Sequence, residues 1–228
     1  METNLSPETL IEQVLSNNAG RPCLTCSFQA EDMVVLHLLR QRIPDIPVLF
    51  LETGYHFAET YAYRDRMAAE WQLNLINLAP RQTVAEQENE FGLLYLTDST
   101  ECCRRRKVEP LMAALEHFDI WFTGLRREQS PTRRNLQQIE ESRLPSGRAL
   151  IKVSPLAVWT WSDIQAYLHA HEIEPLPLYQ QGYLSIGCEP CTSLPSDEQN
   201  PRSGRWAGKK LECGIHTFGS GEQRHGGA

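Results

Sequence analysis

Between residues 20 and 160, short apolar runs alternate with stretches of helical period, and this alternation limits the chain to few folds. "CLTCSF" is a compact apolar run followed at once by "AEDMVVLHLLRQR", whose apolar residues recur at helical spacing. "IPVLFLETG" repeats the strand pattern before "FAETYAYRDRMAAEW", and "LNLINL" precedes the polar helix "TVAEQENEFG". "RRRKVEPLMAALEHF" reads as a helix disturbed near its start by Pro110, then "DIWFTGL" and "ALIKVSPL" read as a fourth and fifth strand. "SPETLIEQVL" and "TWSDIQAYLHAHEI" add a helix at either end, capped by Ser6 and by Thr160 or Ser162. Strands that alternate with helices need a parallel sheet covered on both faces, so an α/β, Rossmann-like fold is expected. From about Pro175 the pattern gives way to a Pro/Gly-rich run through Lys210. Long irregular segments in a compact domain tend to be functional or mobile. The organisation expected is an α/β domain over 1–200, followed by a mobile segment over 201–228.

Formal net charge is −7, which argues against a nucleic-acid binder. The cations are nevertheless clustered: Arg104 to Lys107 run together, Arg126, Arg127, Arg133 and Arg134 lie close by, and Arg202, Arg205, Lys209 and Lys210 precede Cys213. Local basic patches on an acidic chain suit a small anionic ligand. No apolar run reaches the roughly 20 residues of a membrane span. The acidic, amphipathic N-terminus is wrong for a secretory signal, so a cytoplasmic location and reduced thiols are expected.

The seven cysteines then need a chemical explanation, and an odd count cannot pair completely. Cys188 and Cys191 have CxxC spacing, which suits a redox dithiol, half a zinc site or part of a cluster. Cys102 and Cys103 are adjacent, which is unusual for tetrahedral zinc and more compatible with an iron–sulfur cluster. All four could also be small buried hydrophobes. Lys107, one helical turn beyond Cys103, would compensate the negative charge of a thiolate-bound cluster. Cys213 stands alone near a glycine-rich end, a place suited to a thiol that travels. The glycines there are Gly214, Gly219 and Gly221.

Ser27 sits at a strand-to-helix turn whose free N–H groups could hold a phosphate, though the glycines of a Walker loop are missing. Thr53 and Gly54 end the second strand, where open α/β sheets bind ligands. Cys23 and Cys26 fall in the first strand on opposite faces and read as core or pocket-lining residues.

Taken together, "SFQAEDMVVL", "LETGYHF", "ECCRRRKVEPL", "GLRREQSPTR", "SPLAVWTWSDIQAYL", "YLSIGCEPCT", "RSGRW" and "ECGIH" resemble the assimilatory adenylyl-sulfate (APS) reductases. These are relatives of the phosphoadenylyl-sulfate (PAPS) reductases and, more distantly, of PP-loop pyrophosphatases. The resemblance implies a PP-loop, adenine-nucleotide-hydrolase-like domain that reduces APS to sulfite and AMP. It implies a [4Fe–4S] cluster on Cys102, Cys103, Cys188 and Cys191, and Cys213 as the nucleophile. Lys107 would lie between cluster and substrate, with Arg202, Arg205 and His216 around the phosphosulfate. Ser27, Thr53 and Gly54 would line the nucleotide pocket, and Arg126 and Arg133 an arginine-bearing loop. Two departures stand out: Gln29 replaces a common glycine, and "AGKKL" is less aromatic than in relatives.

Thioredoxin is the expected reductant, because no redox domain follows before Ala228. Members are often oligomeric. Positive charge from Arg205, Lys209, Lys210 or His216 would raise the Cys213 thiolate fraction, with His216 brought alongside by one helical turn. Relatives acting on PAPS generally lack both cysteine pairs, which favours APS. The competing readings are PAPS reduction, an ATP-dependent PP-loop ligase or tRNA-thiolation enzyme, and a four-cysteine zinc module that binds nucleic acid.

Overall fold

The computed structural model describes residues 4–197, 200–210 and 212–216. Its centre is a six-stranded sheet of β1 (Pro22–Thr25), β2 (Val48–Leu51), β3 (Leu75–Leu78), β4 (Ile120–Phe122), β5 (Ile139–Arg143) and β6 (Ala149–Val153). The spatial order is β3-β2-β1-β4-β6-β5, and every pairing is parallel except β5 with β6.

The strands' two faces follow from side-chain alternation. Leu24, Val48, Phe50, Ile120 and Phe122 point to one face, where α1 (Pro7–Asn17), α2 (Ala30–Arg40), α3 (Ala58–Glu70) and α8 (Trp161–Ala170) bury their apolar stripes. Cys23, Leu49, Trp121 and Leu150 point to the other, against Leu111 and Leu115 of α7 (Glu109–Leu115). Each fully buried side chain of this size contributes roughly 1.5–3 kcal/mol. Cys23 and Cys26 fall in different clusters, as their spacing requires.

Ser6 caps α1 and Thr160 caps α8, the latter through a reciprocal box with Asp163. Between β3 and β4 the chain forms α4 (Val84–Phe91), α5 (Leu94–Thr97) and α6 (Ser99–Cys103), then a π-helical turn over Arg104–Val108 leading into α7. The disturbance expected from Pro110 takes this form. Pro110 has no N–H and its ring crowds the carbonyl four residues back, so the turn before it widens, with the Glu109 N–H bonded to the Arg104 carbonyl.

The sequence pattern misses β5. "IEESR" carries one apolar residue, Ile139, itself 40% exposed, because an antiparallel edge strand needs no apolar face. Beyond the boundary expected at residue 200, described residues still pack on the rest of the chain. Arg205 and Trp206 are buried, Thr192 bridges Arg205, and residues 212–216 lie against the sheet. Gly219 and Gly221 lie outside the described residues.

Candidate active site

A cavity of about 480 Å³ opens at the C-terminal ends of β1, β2 and β4. The strand order reverses between β1 and β4, and open α/β sheets bind ligands at such a reversal. Thr25, Cys26 and Ser27 form its floor, Phe50 and Leu51 one wall, and Thr123 and Gly124 another. Lys107, Arg202, Arg205, Cys213 and His216 close one end, while Glu31, Asp32, Arg126 and Glu128 line it too.

The acidic groups are tied to specific partners. Ser27 donates both its N–H (2.7 Å) and its hydroxyl (2.6 Å) to Asp32 Oδ2. Burial raises the Asp32 carboxyl to about 6, against the opposing hydrogen bonds from Ser27 and the Gly124 backbone. Glu31 accepts from Arg126 at 2.8 Å, and Arg126 also meets Glu128 at 2.7 Å.

All four cysteines of the two pairs line a second, narrower cavity, and Lys107 and Trp206 border both cavities. α6 delivers Cys102 and Cys103, and a 3₁₀ turn over Glu189–Cys191 delivers Cys188 and Cys191 after Cys188 bridges His56. Burial pushes the Cys102 thiol up to about 11, with Cys103, Cys188 and Cys191 adding to the rise. Burial would raise Cys188 as well, but Lys107, Thr53 and Arg205 hold it below its ordinary value. For Lys107 the balance is reversed: burial opposes its charge, and Cys188, Cys103 and Cys213 outweigh burial.

Polar hydrogens surround these sulfurs. Gln87 Nε2 lies 4.0 Å from Cys102, Lys210 Nζ lies 3.5 Å from Cys103, and Cys188 donates to Thr53 Oγ1 at 3.4 Å. Among the described residues, no three His, Cys, Asp or Glu side chains are placed to hold a metal ion. A mononuclear zinc site needs four donors converging at about 2.3 Å, whereas a cluster gives each sulfur its own iron. Four thiols around one cavity, with a buried ammonium beside them, fit the second arrangement.

Cys213 is half-buried in the larger cavity on a segment held from both sides. Arg133 grips Glu212 through Nε (2.9 Å) and Nη2 (2.7 Å), and Thr132 Oγ1 adds a bond of 2.9 Å. Gly214 turns the chain at φ +96°, where a side chain would be strained. Ile215 then packs on the second core cluster, and His216 stacks on Trp121 at 5.5 Å with ring planes 14° apart. Burial, and the charges of Arg133, Lys152 and Arg202, hold His216 well below its ordinary value, and its Nδ1 is buried without a partner.

Residues 21–194 match the phosphoadenosine phosphosulfate reductase domain. The chain belongs to this family. The adenosine 5'-phosphosulfate reductase of Mycolicibacterium smegmatis is 46% identical over 189 residues, covering 82% of this chain and 79% of that protein. The crystal structure of phosphoadenylyl-sulfate (PAPS) reductase from Candida auris, a phosphate complex, superposes with a TM-score of 0.70 at 25% identity. It covers 81% of this chain and 89% of that one. Candida glabrata FMN adenylyltransferase shares the fold at 15% identity and a TM-score of 0.60, covering 85% of this chain and 64% of its own.

As a member of the PAPS reductase family, the chain brings together most of the residues singled out from sequence. Ser27, Lys107, Arg126, Arg133, Arg202, Arg205, Cys213 and His216 all line the larger cavity. Thr53 and Gly54 do not. Thr53 faces Cys188, and its carbonyl accepts from Arg106 Nε. At Gly54, φ is +73° and a Cβ would lie 2.5 Å from Val84 Cγ2, so the glycine serves the turn. Both are carried past the sheet edge toward the cysteine cavity.

His216 is likewise not a cation beside Cys213. A turn, and no helix, joins them, and the imidazole is neutral. Lys210 serves Cys103 and the Ser99 carbonyl. Ser27 is occupied by Asp32, so its turn does not stand open to a phosphate. Sequence reasoning missed Asp32, Glu212 and Trp121. Only their partners give them a role: Ser27 for Asp32, Arg133 for Glu212 and His216 for Trp121.

Proposed function

We propose that the chain reduces APS to sulfite and AMP in sulfate assimilation, with Cys213 as nucleophile. The observation that carries this reading is a half-buried free thiol, Cys213, in the switch-point cavity with Lys107, Arg202 and Arg205, whereas Cys26 in the same cavity is buried. The Cys213 thiolate attacks the sulfur of APS, an S–S bond forms, the S–O bond to phosphate breaks, and AMP leaves with the bonding pair. Lys107 and the two arginines offset charge building on the departing phosphate oxygen. A neutral His216 can donate an N–H to that oxygen without repelling the cations around it.

The S-sulfocysteine is resolved by a dithiol protein of the thioredoxin type. One of its thiolates attacks Cys213 Sγ and displaces sulfite. Its second thiol then attacks the mixed disulfide, leaving Cys213 as thiolate and the donor as a disulfide, two electrons poorer. Cys102, Cys103, Cys188 and Cys191 are proposed to hold a [4Fe–4S] cluster. Bound there, it would supply fixed charge beside Lys107 and no electrons to turnover. Lys107, buried between the cavities, orients toward both.

Anaerobic incubation with APS alone, followed by intact mass spectrometry, tests the route. The expected product gains about 80 Da on the Cys213 peptide, one SO3 group, with AMP released. Cys213→Ser gains nothing and makes no sulfite while still binding AMP. An adduct from PAPS and none from APS would reassign the substrate, and sulfite release by Cys213→Ser would end the nucleophile assignment.

A further inference from the structure

The larger cavity is electrically divided. Glu31, Asp32, Arg126 and Glu128 line it at one end, and Lys107, Arg205 and Cys213 at the other. At the Asp32 end the cation Arg126 is committed to two carboxylates, Glu31 and Glu128. At the Cys213 end, Lys107 and Arg205 are buried with no carboxylate in ion-pair contact among the described residues. A ligand that fits carries its anionic end toward Cys213 and an uncharged end toward Asp32.

The Asp32 end also holds an anion of its own. The turn after β1 offers the Ser27 N–H and hydroxyl, and the neighbouring turn after β4 offers the Gly124 N–H. Such converging donors at a helix start would ordinarily hold a phosphate. Here the Asp32 carboxylate takes all three. The fit is close: a Cβ at Gly124 would sit 2.3 Å from Asp32 Oδ1. Asp32 is partly exposed and lines the cavity wall, so it borders the space a ligand would fill.

We propose that Asp32 is the specificity-determining residue of this site, admitting an adenine nucleotide with a free 3'-hydroxyl and rejecting one phosphorylated there. The inference rests on the nucleotide reading above, which puts the phosphosulfate at Cys213 and leaves the ribose for the acidic end. A carboxylate accepts a hydrogen bond from a ribose hydroxyl and repels a phosphate in its place, the logic by which an acidic residue separates two dinucleotides differing by one phosphate. Because the donors are already filled, a second phosphate finds like charge and no free N–H.

The test compares AMP with adenosine 3',5'-bisphosphate as ligands of the full chain by calorimetry. Wild type is expected to bind AMP roughly a hundredfold or more tighter than the bisphosphate. Asp32→Asn, which keeps the shape and loses the charge, is expected to narrow that ratio about tenfold or more. Asp32→Ser, which reopens the donors, narrows it further. Equal binding of both ligands by wild type overturns the inference without any variant having to fold, as does an unchanged ratio in folded Asp32→Asn. Failure of wild type to bind AMP at all overturns the nucleotide reading itself, an outcome distinct from equal binding.

Discussion

Cys188 shows how much of this site is decided by the immediate surroundings of one sulfur. It is buried, which alone would keep it a thiol, yet Lys107 and Arg205 favour the thiolate. Metal ligation requires the thiolate, so the surroundings of Cys188 suit the proposed role as a cluster ligand. Protein purified anaerobically is expected to be brown, with iron and sulfide near four each per chain. Cys188→Ser should lose at least half of that iron and the associated visible absorbance while its far-ultraviolet circular dichroism stays unchanged. Wild-type protein that is colourless and carries stoichiometric zinc would refute the cluster. His216 illustrates the opposite tuning: burial, with the charges of Arg133, Lys152 and Arg202 nearby, disfavours the charge that its sequence position suggested.

At the scale of elements, the seam between α2 and α8 carries a pH dependence. His37 of α2 meets the Tyr167 hydroxyl of α8 at 2.9 Å and the His171 ring at 4.8 Å. Burial lowers the His37 pKa from 6.5, with His171 and Arg40 adding to the fall. A base depressed in the folded state contributes stability that is present above its unfolded pKa and lost as pH falls below it, because only the unfolded chain then takes the proton. His216 acts in the same sense. Asp32, raised to about 6, acts oppositely, since below that pH the folded chain takes its proton more readily. The urea midpoint of wild type is therefore expected to fall between pH 7 and 5.5, and less steeply in His37→Gln. Equal slopes would show that the seam does not titrate as described.

For the molecule as a whole, the proposed chemistry makes two demands on residues 212–216. Reaction with substrate needs Cys213 in the cavity, and reaction with a protein dithiol needs it outside. The Arg133–Glu212 pair, both side chains largely buried, is the main polar tie holding the segment in. Removing one partner of a buried pair costs about 3–5 kcal/mol. Glu212→Ala should therefore speed alkylation of Cys213 by iodoacetamide roughly tenfold or more and slow single-turnover adduct formation from APS by a similar factor. Unchanged alkylation would mean that Ile215 on the core and His216 on Trp121 hold the segment by themselves.

Six of the eight α-helices among the described residues, five of the six strands and the parallel arrangement were legible in the sequence, because apolar period and capping residues are properties of neighbours along the chain. The cysteine pairs and the basic residues of the cavity were legible too, since their identities and order carry the family resemblance. β5 was hidden because an edge strand needs no apolar pattern. What only the tertiary structure decided is which charges meet. Asp32 fills the turn that was expected to await a phosphate, Glu212 ties down the segment of Cys213, Lys210 turns to Cys103, and Thr53 turns from the larger cavity to Cys188. Each depends on bringing strand ends and loops distant in sequence to one edge of the sheet, and no local pattern records the partner a side chain will find there.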